Sequence, residues 1–230
     1  MPGDGLSTHN GLMDPLRRPV AGLLVPGLVL IAFACGLGGW ILLRGTTPFI
    51  VDDWWNLTLL QWTVEPVTLF SYAMNWLGGG VVGVFVVPIG GALVLVLLRR
   101  YIGALFFIAA SVFSAAGVQV LKHLFGRARP EEIIVISDYG SFPSGHTANA
   151  ATIAVVAVVL FPRVWVAVAG AVWVALMAFS RTYLHAHWLS DTLGGAFVGA
   201  GAALVVAAAF AVQLRAEQNR VSRRVASLPA

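Results

Sequence analysis

Apolar runs long enough to cross a membrane alternate with short polar breaks along most of this chain. A crossing helix needs about 20 apolar residues, and the first run, Val20 to Leu43, has that length. Ala32-Phe33-Ala34 ahead of Cys35 faintly resembles a cleavage site, but the run continues past it, so an uncleaved span is expected. A second span runs from about Gly78 to Leu98 and stops at Arg99-Arg100, and a third from Tyr101 to Leu121 stops at Lys122. A polar loop, His123 to Pro143, leads to a fourth span that reaches Phe161. Pro162-Arg163 forms a turn, the fifth span covers Val164 to about Phe179, and Ser180 to Trp188 is a short polar connection. The sixth span covers Leu189 to Val212, with Gly195 and Gly199 in the spacing that lets helices approach closely.

Between the first two spans, Arg44 to Leu77 is rich in aromatics, including Trp54, Trp55, Trp62 and Trp76, and Pro66 is placed to start a second short helix. Tryptophan favours the membrane interface, so one or two interfacial helices are expected here. The expected fold is therefore all-α: a polytopic membrane bundle of six transmembrane helices with interfacial helices between the first two. Residues 1–19 read as a cytoplasmic tail, 20–212 as the membrane domain and 213–230 as a basic cytoplasmic tail.

Composition agrees. The chain is 59% hydrophobic and 10% charged, where soluble domains carry about 25% charged residues. The formal charge of +4 reads as membrane orientation rather than nucleic-acid binding. With both termini inside, cytoplasmic segments hold Arg17, Arg18, Arg99, Arg100, Arg163, Arg215, Arg220, Arg223 and Arg224, and the outer side only Arg44, Lys122, Arg127, Arg129 and Arg181. Cys35, the lone cysteine, has no intrachain partner.

That topology delivers the ends of the third to sixth spans, and nearly every polar residue of the C-terminal half able to do chemistry, to one membrane face. Ser144 in Pro143-Ser144-Gly145-His146 is a natural helix N-cap, and a helix that starts there presents unpaired amides and a positive dipole end to an anion. His146, in the first turn, could exchange a proton beside that anion. Lys122, Arg129 and Arg181 would repel one another unless an anion neutralised them, and a tetrahedral phosphate suits guanidinium forks. His187 and Asp191 share a helical face, the carboxylate placed to fix the imidazole tautomer. His123 and His185 read as interfacial polar residues.

Lys122-x6-Arg129-Pro130, Pro143-Ser144-Gly145-His146 and Ser180-Arg181-x5-His187-x3-Asp191 together resemble the three-part signature of the type 2 phosphatidic acid phosphatase superfamily. The resemblance covers about Gly78 to Val212. It implies that Lys122, Arg129 and Arg181 bind phosphoryl oxygens, with Ser144 and the Gly145 amide completing the cradle. His187 would be the nucleophile, forming a phosphohistidine, with Asp191 orienting it. His146 would protonate the leaving oxygen and later activate water, with no metal or cofactor.

The expected substrate is a lipid phosphate (undecaprenyl pyrophosphate, phosphatidylglycerol phosphate or phosphatidic acid) met at the outer, periplasmic face of the inner membrane, with a lean towards the polyprenyl pyrophosphate. Against this stand a metal-dependent hydrolase using His185, His187 and Asp191, which the cations would disfavour, and an intramembrane protease pairing Ser144 with His187. A non-enzymatic transporter of an anionic lipid or solute is the alternative of another class, but its polar groups belong near the membrane midplane. A haloperoxidase is disfavoured by the membrane setting.

Overall fold

The computed structural model describes residues 15–17 and 19–226, and within them every regular element is helical. Most of the expected N-terminal tail, with Arg18, and the last four residues lie outside the described set. The α-helices are α1 (Ala21–Leu43), α2 (Ile50–Leu60), α3 (Glu65–Gly78), α4 (Val87–Leu97, entered through a π-helical turn at Val82–Val86), α5 (Tyr101–Phe125), α6 (Gly145–Leu160), α7 (Val164–Tyr183) and α8 (Leu189–Ala226).

Helices α1, α5 and α7, with α8 over Leu189–Arg223, are long and apolar enough to cross a membrane. α3 and the segment Val82–Leu97 pass the same test together, bent by 50° at their junction, and α6 is a shorter apolar helix. Large apolar side chains such as Phe33, Trp40, Phe85, Leu105 and Val172 lie exposed on the outer surface. Such a belt around apolar helices belongs to a membrane protein.

Three boundaries differ from the sequence expectation. The segment expected as the second span is divided: Gly78 still belongs to α3, the backbone breaks at Gly79-Gly80, with Gly80 at φ +56°, and the helix resumes towards Val82–Leu97. α7 continues through Ser180 and Arg181 to Tyr183, so these residues are helical rather than part of a connection. Their polarity is absorbed locally: the Ser180 hydroxyl donates to the Met177 carbonyl at 2.8 Å. α8 runs on to Ala226 through the segment expected as a tail. There Leu214 is buried, and Glu217 accepts the backbone N–H groups of Ile102 and Gly103 at 2.8 and 2.9 Å. Those amides open α5 and have no partner within their own helix.

The main core, around Phe106, Phe107, Val159, Leu160, Ala207 and Leu214, joins α5, α6 and α8 away from the polar cluster. Gly195 and Gly199 do what their spacing predicted. A Cβ at either would collide with backbone of α6, at Ser144 and Ala148 respectively, so α6 and α8 touch backbone to backbone. α5 stops at Gly126, whose φ of +51° is left-handed and whose N–H donates to the Lys122 carbonyl at 3.0 Å. These terminations bring the end of α5, the start of α6, the end of α7 and the start of α8 together, over a small apolar floor of Ile41, Phe125 and Phe142.

Candidate active site

Each expected site residue occupies a helix end or the turn beside one. Ser144 caps α6: its hydroxyl accepts from the Thr147 hydroxyl at 3.1 Å and amide at 3.5 Å. Its own N–H donates to the Asp191 carbonyl at 2.9 Å, tying the start of α6 to the start of α8. Gly145 opens α6, where an added Cβ would meet only Val118 at an ordinary distance. Lys122, Arg181, Ser144, His187 and Asp191 are all buried.

His187 lies between a cation and a carboxylate. Arg129 Nη1 stands 3.1 Å from His187 Nε2, and Asp191 Oδ2 stands 3.6 Å from Nδ1 on the other side. Guanidinium nitrogens only donate, so Nε2 holds the lone pair and Nδ1 carries the proton; at 3.6 Å from Asp191, that buried Nδ1 makes no hydrogen bond. That carboxylate is fixed in turn: Oδ2 accepts the Trp188 N–H at 2.9 Å and Oδ1 accepts from Arg127 at 2.6 Å. Burial, then the positive charges of Arg129, Arg181 and Lys122, hold the His187 imidazole well below its ordinary pKa.

Lys122 and Arg129 converge on one acidic side chain outside the predicted set. Asp138 Oδ1 is 3.3 Å from Lys122 Nζ and 2.8 Å from Arg129 Nη2. Both cations also donate to the Gly140 carbonyl, at 2.6 and 2.8 Å. Burial opposes ionisation of Asp138, and the Lys122 and Arg129 charges overcome it, so its pKa is lowered. An anionic oxygen is thus already bound between two of the three expected phosphate-binding cations.

The third cation meets a different element. Arg181 Nη1 donates to the side-chain oxygen of Asn75 on α3, and its buried Nε has no hydrogen-bond partner. The Asn75 backbone carbonyl accepts from His146 Nε2 at 3.0 Å. Arg181 and His146 are therefore linked through α3 rather than directly, and no hydrogen bond joins either to His187.

Asp138, Asn75, Arg127 and Asp52 escaped sequence reasoning. Asp138 follows an uninformative loop stretch, and Asn75 sits among aromatics that read as an interfacial helix. The Arg in Gly126-Arg127-Ala128-Arg129 was legible only as one more outer-side charge. His185 is buried, and its Nδ1 donates to the Asn56 side-chain oxygen at 2.7 Å. His123 is exposed, and its ring centroid lies 5.5 Å from that of Tyr139.

Residues 100–215 match the PAP2 superfamily. The chain belongs to that superfamily. It is 35% identical over 126 residues to the lipid A 1-phosphatase of Rhizobium johnstonii, covering 48% of this chain and 49% of that protein. It is 27% identical over 121 residues to the undecaprenyl-diphosphatase of Sulfolobus acidocaldarius, covering 49% of this chain and 57% of that one. The chain thus matches about half the length of these curated relatives. Its fold is similar to the crystal structure of a transmembrane PAP2-type phosphatidylglycerolphosphate phosphatase from Bacillus subtilis, with a TM-score of 0.62 and 21% identity over 84% of this chain and 96% of that one. All three signature segments of this PAP2 chain fall within the matched residues and meet at one end of the bundle.

Proposed function

We propose that this PAP2 protein is a membrane phosphatase that removes phosphate from a lipid phosphate or pyrophosphate through a phosphohistidine on His187. The observation that carries the reading is the setting of the His187 ring, with Arg129 3.1 Å from Nε2 and Asp191 3.6 Å from Nδ1 on the other side. An imidazole so held is a nucleophile pointed at the place where a phosphoryl group would meet cations.

In the first half-reaction His187 Nε2 attacks phosphorus, and the bond to the lipid-side oxygen breaks as His146 supplies that oxygen with a proton. In the second, water loses a proton to His146 and attacks phosphorus, the P–N bond breaks, and inorganic phosphate leaves. Lys122, Arg129 and Arg181 hold the phosphoryl oxygens, with Ser144 and the Gly145 amide at the positive end of α6. The unpartnered Nε of Arg181 is a donor for that purpose. Removing one preorganised donor of this kind costs about 2.7–4 kcal/mol of barrier. No metal enters the proposed chemistry, because Lys122, Arg129 and Arg181 supply the positive field that stabilises the transition state.

Counting α3 with Val82–Leu97 as one broken crossing and α6 as a short one gives six spans. With that count, the excess of arginine at the opposite ends supports both termini in the cytoplasm and the site at the outer face of the inner membrane. The relatives point to lipid A 1-phosphate, undecaprenyl pyrophosphate and phosphatidylglycerol phosphate as substrates to compare, with phosphatidic acid beside them. Phosphate release from each by purified protein, with and without excess EDTA, tests the reading. Release that His187→Ala abolishes without unfolding the protein supports it. Equal release by that variant, or a divalent-ion requirement, overturns the mechanism, and no release from any lipid returns the transporter alternative.

A further inference from the structure

Beneath the His187–Asp191 pair lies a buried charge array that the phosphatase chemistry leaves unexplained. Arg127 has a fully buried side chain and is shared between two equally buried carboxylates, Asp191 at 2.6 Å and Asp52 at 2.8 Å. Asp52 comes from α2, far away in sequence. Its Oδ1 accepts the Ser190 N–H at 2.8 Å and its Oδ2 accepts the Ser190 hydroxyl at 2.7 Å. Arg127 also donates to that hydroxyl, at 2.8 Å. α2 is fastened to the same region twice more. Trp55 Nε1 donates to the Thr182 hydroxyl at 2.9 Å, and Asn56 joins His185 to Glu132.

We propose that Arg127 and Asp52 are positioning residues that aim Asp191 at His187, an inference that rests on His187 being the nucleophile. Arg127 occupies Oδ1 of Asp191, which leaves Oδ2 to the Trp188 N–H and the imidazole. Arg127 alone would neutralise Asp191 and cancel its attraction for the ring once phosphorylation at Nε2 makes the ring cationic. Asp52 restores one net negative charge to the array, two carboxylates against one guanidinium. A clamp needed only for folding would be served by an uncharged network, because burying ion pairs costs desolvation. α2, which reads from sequence as an aromatic belt, thereby becomes part of the catalytic support.

The test uses full-length protein in detergent and whichever of the four lipid phosphates the wild type hydrolyses. Arg127→Lys keeps the charge, but a single ammonium cannot reach both carboxylates as the fork does. Its kcat should fall about tenfold, the scale on which outer-shell partners of a reactive group act, with vanadate inhibition unchanged. In an Asp191→Asn background the same substitution should cost nothing further, because its effect passes through Asp191. An equal loss in both backgrounds, unchanged kcat, or weakened vanadate binding overturns the proposal. If Arg127→Lys does not fold, Ser190→Ala, which removes only the shared hydroxyl, decides by the same comparison. Nitrogen-15 spectra of histidine-labelled protein read the positioning without turnover. Arg129 keeps the His187 ring protonated at Nδ1 in every variant, but the Nδ1 resonance should shift in Arg127→Lys or Ser190→Ala as Asp191 moves away from the ring, and a resonance unmoved by either overturns the inference. Absence of hydrolysis by the wild type, by contrast, counts against the phosphatase reading alone.

Discussion

Arg129 donates to Nε2 of His187 at 3.1 Å, so the proposed nucleophile and one of the proposed phosphate ligands are in direct contact. The same guanidinium reaches Asp138 and the Gly140 carbonyl. Under the proposed mechanism Arg129 is a phosphate-binding cation, and its donation also fixes which imidazole nitrogen carries the proton.

Arg129→Ala should therefore lose both roles. The expected drop in kcat/KM on a lipid phosphate is on the order of 100- to 1,000-fold, as for removal of one preorganised donor. Arg129→Lys should recover only part of it, because an ammonium cannot bridge the imidazole and an anion with a fixed fork. Steady-state rates and trapping of labelled phosphoenzyme check this. An Arg129→Ala enzyme within tenfold of wild type would remove Arg129 from the cradle.

His187 gives a stability prediction whose sign follows from its lowered pKa. An unfolded histidine takes up a proton near about pH 6.5, while the folded site refuses it until well below. The contribution of this group is fully present above about pH 6.5 and is lost as the pH falls towards the folded value. Thermal unfolding in detergent between pH 7.5 and 5 should show a larger loss for wild type than for His187→Gln, which cannot titrate. Parallel losses in the two proteins would mean that His187 is not held neutral by its surroundings.

The reach of sequence reasoning tracks the range of the interactions. His187 and Asp191 are one helical turn apart, and Ser144 caps the helix that follows it, so local geometry alone exposes them. Gly126 marks the end of α5 because its left-handed backbone suits glycine. The convergence of four helix ends is what alternating crossings would produce. Asp52, Asn75 and Asp138 were invisible for the opposite reason. Each meets the site through a tertiary contact with no period in sequence, and two of them sit on helices whose aromatic character points to lipid. Arg181 was placed in a loop because polarity normally ends an apolar span, whereas Asn75 supplies it with a partner inside the bundle. The overrun of α8 has the same origin: Glu217 satisfies the start of another helix, which no pattern within residues 213–226 foretells.

The break after α3 presses backbone against His146. A Cβ on Gly79 would collide with the His146 ring, whereas one on Gly80 would meet nothing within 4 Å. Gly79→Ala should displace the imidazole and reduce kcat by up to about 100-fold, the scale of a misplaced reacting group. Gly80→Ala, forced to keep φ at +56°, should lower stability by about 1–2 kcal/mol and leave kcat near wild type. Paired rate and melting measurements separate the two. Equal kcat in both variants would place His146 outside the rate-determining proton transfer.

Under the proposed mechanism Asp138 competes with substrate for Lys122 and Arg129, so Asp138→Asn should tighten anion binding. The expected gain in vanadate affinity is about two- to fivefold, the worth of a partly exposed ion pair. Stability should move the other way, because the variant gives up the two charge-assisted contacts at 3.3 and 2.8 Å. The lowered pKa of Asp138 also fixes the pH behaviour. Its ion pairs contribute fully above the ordinary carboxylate value of about 3.9 and are lost only as the pH falls through the lower folded value. Mild acid therefore cannot mimic the substitution, and the affinity ratio of variant to wild type should be the same at pH 6 and pH 8. Tighter vanadate together with a lower melting temperature is the signature of a carboxylate standing in for phosphate. Weaker vanadate in Asp138→Asn would mean that Asp138 organises the cradle instead of competing for it.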